Sequence, residues 1–453
     1  MQPRLDIKRH CGRLSRSFLL PLRQQDCIPM RVLLVNTSER SGGAAVATRR
    51  LMEALNNNGV KAKMVVADKQ TDNIHVVRLP HPWFHRFCFL WERFCIFLHL
   101  RFNRQHLFQI DIANVGSDIT SLPEFKAADI IHLSWINQGM LSLSGIGKIL
   151  KSGKPVVWTM HDLWPTSSIC HLSLGCERFR DHCHHCPYLP HGGAKRDLSY
   201  RVWEKKRKLY RQYHISFVAC SKWLEAEAKR SGLVDGQVVT SVPNPLNTQV
   251  YHRQERQTAR RSLRLPLDKR LMVFVAQRVT NVNKGMSYLV EACQKLAAQY
   301  PETRQSVGVA ILGGCAEDFA GALELPVYPL GYVDEEKKIV DVYNAADVFV
   351  LPSLSENLPN TIMEAMACGL PCVGFNVGGI PEMIDHRKNG YVAKYKDAGD
   401  LARGIRWALF ESDYESLSRQ AIQKVCQTYS QQSVALRYIE VYNQALALKD
   451  YDL

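Results

Sequence analysis

The residues of this 453-residue chain best suited to chemistry are two glutamates, Glu356 and Glu364, in the stretch 355–366 (SENLPNTIMEAM). A close pair of carboxylates can act as general acid and base, share a metal ion, or accept hydrogen bonds from hydroxyl groups. The residues between them discriminate. Pro359 bars a continuous helix through both glutamates, and Asn360 is a good N-cap for a helix over 361–368 that ends at Gly369. The apolar run 347–351 reads as a strand. Glu356 then falls in the loop at the C-terminal end of that strand, and Glu364 lies one turn into the next helix. In a doubly wound sheet this edge is where ligands bind, and the helix N-terminus favours a phosphate. No Asp-x-Asp lies nearby, and the only histidine close in sequence is His386. The paired hydroxyls of a ribose or hexose therefore suit both carboxylates better than a metal does.

A second cluster is sulfur-rich. In the stretch 161–190 (HDLWPTSSICHLSLGCERFRDHCHHCPYLP), Cys170, Cys176, Cys183 and Cys186 fall within seventeen residues and end in Cys-x-x-Cys. Four close thiols suit tetrahedral zinc, with His171, His182, His184 or His185 able to replace one of them. Two disulfides and plain buried thiols are the other readings. A structural zinc bracing a loop beside His161 is the expectation.

These residues need rigid elements to hold them. Residues 31–35 form an uninterrupted apolar run, as in a parallel sheet buried on both faces. A Gly-rich turn (SERSGGAA), a helix over 45–57 closed at Asn58-Gly59, and a strand at 61–67 follow as a βαβ unit. Strands are expected at 129–133, 155–160 and 215–219, then at 271–276, 307–312 and 347–351, with helices at 287–299 and 335–345. Two Rossmann-like α/β halves, 30–245 and 246–425, joined near 243–270, are the natural reading. A helix within 426–453 carries Val434, Tyr438, Val441, Ala445 and Leu448 on one face; periodicity leaves open whether it stays on the second half or crosses back. Residues 1–29 read as a disordered extension or a misassigned start ahead of Met30, or else as a basic surface arm. Residues 80–108 are aromatic and basic, with Arg86, Arg93, Arg101 and Arg104 among the rings. They suit either a pair of packed helices or an interfacial face touching anionic lipid.

Composition narrows the partners. The hydrophobic share is 46% and the net charge +15, with a pI near 9.2. A basic balance favours anionic partners. Nucleic acid is not expected: there is no RNP-type aromatic motif, no zinc-finger spacing and no long Lys/Arg run.

The motifs taken together resemble a known family. The run 331–384 (GYVDEEKKIVDVYNAADVFVLPSLSENLPNTIMEAMACGLPCVGFNVGGIPEMI) resembles the signature of glycosyltransferase family 4, retaining nucleotide-sugar enzymes of the GT-B fold. QRVTNVNKG (277–285) is similar to that family's phosphate-binding segment and VPNPLNTQVY (242–251) to its interdomain segment. SERSGGAA and TMHD resemble its Gly-rich loop and its histidine. The resemblance implies that Glu364 binds the ribose of a nucleotide-diphosphate sugar. Glu356 would bind the transferred sugar, helped by the backbone N–H groups of Asn357 and Leu358. Arg278 and Lys284 would neutralise the diphosphate, and Gly42 and Gly43 would let a loop approach it. His161 would sit beside the reacting carbon, with Tyr332 and Val333 near the base. Gln277 replaces the family's usual glycine, and Asn357-Leu358 its commoner Gly-Phe. The implied reaction is glycosyl transfer with retained configuration to a glycan or lipid-linked acceptor. It would use no catalytic cofactor or divalent metal, and would proceed in the cytoplasm or peripherally on the inner face of the membrane.

Overall fold

The computed structural model describes residues 29–319, 321–333 and 335–451. The expectations for residues 1–28 lie outside the described residues. Two parallel sheets organise the chain. The first comprises β1 (Arg31–Ser38), β2 (Lys61–Asp68), β3 (Val76–Arg78), β4 (Ile130–Leu133), β5 (Val156–Met160), β6 (Ser216–Ala219) and β7 (Val238–Ser241), in the order β3-β2-β1-β4-β5-β6-β7. The second comprises β8 (Arg270–Arg278), β9 (Val307–Gly314), β10 (Val327–Gly331), β11 (Val348–Leu351), β12 (Cys372–Phe375) and β13 (Gly390–Ala393), in the order β10-β9-β8-β11-β12-β13. Both orders reverse next to the first strand of the half, between β1 and β4 and between β8 and β11. That topological switch point opens a crevice at the C-terminal ends of the strands.

The apolar runs become strands because both faces of each sheet are covered. Val32 and Leu34 point into one core and Leu33 and Val35 into another, so β1 has no solvent face to pattern. Helix α1 (Gly43–Asn56) buries Leu51, Met52 and Leu55 against β1 and β2. The C-terminal helix Gln431–Tyr451 packs on α1 and on the first sheet: Val434, Tyr438, Val441, Tyr442 and Ala445 join the core of Val32, Leu34 and Val157. A polar chain inside this contact fixes its register. His132 Nδ1 lies 2.6 Å from the Tyr442 hydroxyl and Nε2 lies 2.8 Å from Thr159 Oγ1, which in turn meets the Tyr438 hydroxyl at 2.9 Å. The chain crosses between the halves twice, side by side, where Leu246 N–H donates to the Tyr429 carbonyl and Gln431 N–H to the Leu246 carbonyl.

Three local expectations change. Residues 80–108 form one helix, α2 (Pro82–His99), followed by turns, rather than a helix pair. Arg93, one of the four arginines read among the rings as suiting anionic lipid, is buried against Asp111. Asn360 opens the helix Asn360–Ala367 but does not cap it through its side chain. Its amide instead donates to the Gly43 carbonyl at 3.2 Å and accepts from Asn244 at 3.0 Å. These cross-chain partners outcompete a local cap.

The buried tyrosine contact makes a test. Tyr442→Ala should cost about 3–5 kcal/mol of stability by emptying a packed aromatic site. Tyr442→Phe, which loses only the bond to His132, should cost about 1–2 kcal/mol. Urea unfolding reads both.

Candidate active site

The predicted donor-side residues lie at the C-terminal ends of strands of the two sheets or in the loops and helices that follow them. After β11, Ser353 Oγ donates to Glu356 Oε1 at 3.0 Å, and Lys284 Nζ pairs with the same oxygen. The loop carrying Lys284 follows β8 and lies against the β11 loop, with Leu354 N–H donating to the Asn283 carbonyl at 2.8 Å. Gly285 permits this approach. It adopts φ 71°, and a Cβ there would stand 1.8 Å from the Pro352 carbonyl oxygen. On the other side, Gly378 (φ 56°) backs onto Glu356, where a Cβ would stand 1.7 Å from its carbonyl oxygen. Glu356 thus sits in a loop wedged between two glycine contacts.

Glu364 is buried in the helix after that loop. Its Oε1 receives Arg50 Nη2 at 2.8 Å, and its Oε2 receives the Tyr343 hydroxyl at 3.0 Å. Arg50 belongs to α1, in the other half of the chain. It also donates to the Tyr251 hydroxyl at 3.0 Å and lies over that ring. Burial opposes its charge, but Glu364 and Tyr251 more than offset that, so the guanidinium stays protonated.

Other contacts also cross the cleft. The Asn357 amide donates to the His161 carbonyl at 3.1 Å and to Cys220 Sγ at 2.8 Å, and accepts from Ser221. Glu382 accepts the Lys222 and Trp223 N–H groups at 2.9 and 2.6 Å. Arg49 reaches Glu336 at 3.0 Å. The Asn357 side chain therefore ties the halves together. The Leu358 side chain is in the second-half core.

The remaining predicted residues are dispersed. Gly42 takes φ 94° just before α1, and Gly43 meets Asn360 across the cleft. Arg278 ends β8 with an exposed side chain. Tyr332 is exposed, and the half-buried Val333 leans on the second-half core. His161 directly follows β5, half-buried, with Nε2 2.9 Å from Ser134 Oγ. Burial lowers its pKa to about 4, so the ring is neutral at neutral pH.

Beside it, Asp162 accepts from the Trp135 indole at 3.0 Å and lies 2.7 Å from His171 Nδ1. His171 Nε2 lies 2.6 Å from Asp111. Burial opposes the His171 charge, but Asp162 and Asp111 on either side outweigh it and raise the pKa to about 10. His171 is thus part of an ion-pair chain.

The expected zinc is not supported. Cys170, Cys176, Cys183 and Cys186 do line one small cavity. Yet among the described residues no group of three or more His, Cys, Asp or Glu side chains is arranged to hold a metal ion. All four are free thiols. Burial pushes Cys170 up to about 11 and Cys186 to about 12 and raises Cys183 as well, which favours thiol over thiolate. Cys186 and Cys170 instead pack with Ile169, Tyr188 and Leu198 as a small satellite core.

Arg50, Tyr343, Tyr251 and Ser134 escape sequence reasoning, because a pairing 314 positions apart leaves no local pattern. Gly378 was within reach: a Gly-Gly pair just after a strand marks a close backbone approach.

Two measurements test this geometry. Arg50→Ala leaves Glu364 buried without its cation. It should cost about 3–5 kcal/mol and increase the radius of gyration by small-angle scattering as the halves separate. The raised pKa of His171 means its contribution to stability is complete below its ordinary pKa near 6.5 and is lost as pH rises toward about 10. His171→Asn should therefore flatten the alkaline limb of a stability–pH curve.

Comparison with known proteins agrees with the fold. The Glycosyltransferase Family 4 profile matches residues 41–250 and the Glycosyl transferases group 1 profile residues 255–424. An amylovoran biosynthesis glycosyltransferase of Erwinia amylovora is 32% identical over 202 residues, 41% of this chain and 47% of that relative. An uncharacterized glycosyltransferase of Methanocaldococcus jannaschii is 30% identical over 198 residues, 43% of this chain and 50% of that relative. The chain spans about half the length of the curated relatives it matches. The Anabaena HepE structure in complex with UDP and glucose superposes with a TM-score of 0.60 at 16% identity, covering 92% of this chain and 100% of that one. Two doubly wound sheets, matched half by half by these two profiles, make this chain a member of the GT-B glycosyltransferases of family 4.

Proposed function

We propose that this chain moves a sugar from a nucleotide-diphosphate donor to a glycan or lipid-linked acceptor, with retained anomeric configuration, in the synthesis of a surface polysaccharide or glycolipid. The observation that carries the reading is the Lys284–Glu356 contact at the same sheet edge as the buried Glu364, across from Gly43. A diphosphate needs cations and close backbone, a ribose needs a carboxylate, and both needs are met along one edge.

In this reading Glu364 takes the ribose hydroxyls and Glu356 the hydroxyls of the transferred sugar, with Asn357 and Leu358 contributing backbone N–H groups. Tyr332 and Val333 border the base. Arg278 and Lys284 neutralise the diphosphate, and Gly42 and Gly43 let the first half approach it. The acceptor hydroxyl attacks the anomeric carbon from the face the diphosphate is leaving. The bond from that carbon to the phosphate oxygen breaks with its electron pair on the phosphate, and that oxygen takes the acceptor proton. Arg278 and Lys284 stabilise the developing negative charge, the work a divalent metal does in other transferases. Neutral His161 lies where a hydrogen bond to the sugar suits it better than ion pairing. Glu356 is not a nucleophile here, since a carboxylate tied to Lys284 and Ser353 is better placed to hold hydroxyls.

The Erwinia relative is named for an exopolysaccharide and the Anabaena neighbour holds UDP and glucose, which supports a UDP-sugar and a polysaccharide or lipid-linked acceptor. No helix among the described residues is long and apolar enough to cross a membrane. The use of a nucleotide-sugar donor supports a place in the cytoplasm, or peripherally on the inner face of the membrane.

A screen of UDP- and GDP-sugars, read by thermal shift and nucleotide release, tests the reading. Lys284→Ala should lower turnover on the order of a hundredfold or more. Glu364→Gln should weaken donor binding roughly tenfold to a hundredfold. No release and no binding with any donor would overturn the proposal.

A further inference from the structure

Helix α2 (Pro82–His99) is amphipathic in the inverse sense. Its inward face buries Cys88, Glu92, Arg93 and Ile96. Glu92 accepts the Ile112 and Ala113 N–H groups at 2.9 and 2.7 Å. Arg93 donates to the Leu107 and Ile110 carbonyls at 2.6 and 3.1 Å and pairs with Asp111. The charges that would ordinarily face water are thus used to anchor the helix.

The opposite face is apolar and open. Trp83 is 68% exposed, Phe87 51%, Leu90 56%, Trp91 46%, Phe94 50% and Leu98 45%. Their spacing puts them on one side of the helix, and the rings form a ladder, with Phe87–Trp91 centroids 6.2 Å apart and Trp91–Phe94 5.9 Å apart. So many large apolar groups together mark an interaction surface. Arg86, Arg101 and Arg104 are exposed beside it, and Glu92, the one acidic residue in 80–110, is buried.

We propose that α2 lies flat on an anionic lipid bilayer, its rings in the headgroup–acyl boundary and Arg86, Arg101 and Arg104 on lipid phosphates. Charge selects this occupant. A second copy would set the same arginines against each other with no exposed acid to answer them, whereas an anionic headgroup layer complements them. The placement also serves the site. Arg93, Asp111, His171 and Asp162 form a continuous ion-pair chain, buried at Arg93 and Asp111 and half-buried beyond, from α2 to the residue after His161. A bilayer under α2 therefore holds the His161 corner at a fixed height above the lipid, where a lipid-linked acceptor presents its sugar. This deepens the acceptor part of the proposed function. Its test uses neither donor nor acceptor, so each can fail without the other.

The experiment is co-sedimentation of the full chain with phosphatidylglycerol/phosphatidylcholine vesicles and with pure phosphatidylcholine vesicles. Binding to the anionic vesicles, reduced by salt, is expected, with weak binding to the neutral ones. Phe87→Ser/Trp91→Ser/Phe94→Ser should lower vesicle affinity on the order of tenfold or more while leaving the thermal midpoint and nucleotide binding in place. Neutralising Arg86, Arg101 and Arg104 to Gln should cost on the order of fivefold per charge on anionic vesicles only. Equal vesicle binding by the triple-serine variant overturns the proposal. So does a wild-type dimer by light scattering that binds no vesicles and that the serine variant converts to monomer, since the face would then join two copies.

Discussion

The buried ion pair between Arg50 and Glu364 is the contact on which the closed arrangement of the two halves depends. It joins α1 of the first half to the helix after Glu356 in the second, at 2.8 Å and out of water. A buried pair of this kind is costly to form and costlier to break one-sidedly. Its setting compensates in part: Tyr251 adds a hydrogen bond to Arg50 and Tyr343 one to Glu364, while Arg50 Nη1 stays buried without a partner. The rest of the cleft contact is also polar, through Asn357, Asn360, Glu382 and Arg49. An interface held by directional bonds rather than apolar area can open and reclose without exposing a core. The same carboxylate that closes the cleft is the one proposed to bind the donor ribose, so closure and donor binding draw on one group.

The loops that carry the site are held by close backbone packing more than by side chains. Gly285 against Pro352 and Gly378 against Glu356 leave no room for a Cβ. Such contacts fix the position of Glu356 to within the slack of the backbone, which is what its proposed hold on sugar hydroxyls needs. The cores beneath, built on β8, β11 and β12, supply the rigid floor.

In the first half, order comes from a chain of largely enclosed charges. His171 lies between Asp162 and Asp111, and Arg93 continues the chain into α2. In the cysteine-rich loop that follows His161, Cys170 and Cys186 pack among Ile169, Tyr188 and Leu198, and Cys183 joins the main core of the first half. Of four thiols with metal-like spacing, Cys170, Cys183 and Cys186 do the work of small hydrophobes, since burial favours their protonated form, and no arrangement of three ligands forms among the described residues. Spacing along a chain sets which residues can meet, but not whether their lone pairs converge.

The sequence by itself determined the alternation of strand and helix, the two-half organisation and the edge on which Glu356 and Glu364 lie. Those features are local: apolar runs between turn residues, a proline that separates two glutamates, glycines at strand ends. It also marked the aromatic segment around α2, though not its single helix or the inward turn of Arg93. Only the tertiary structure decided that Glu364 faces Arg50, that Asn360 serves the cleft instead of capping its helix, that Asn357 bridges to His161 and Cys220, and that the last helix returns to the first sheet. Each depends on groups far apart in the chain brought together by two sheets facing edge to edge. A contact between residues 50 and 364 has no period and no motif to announce it.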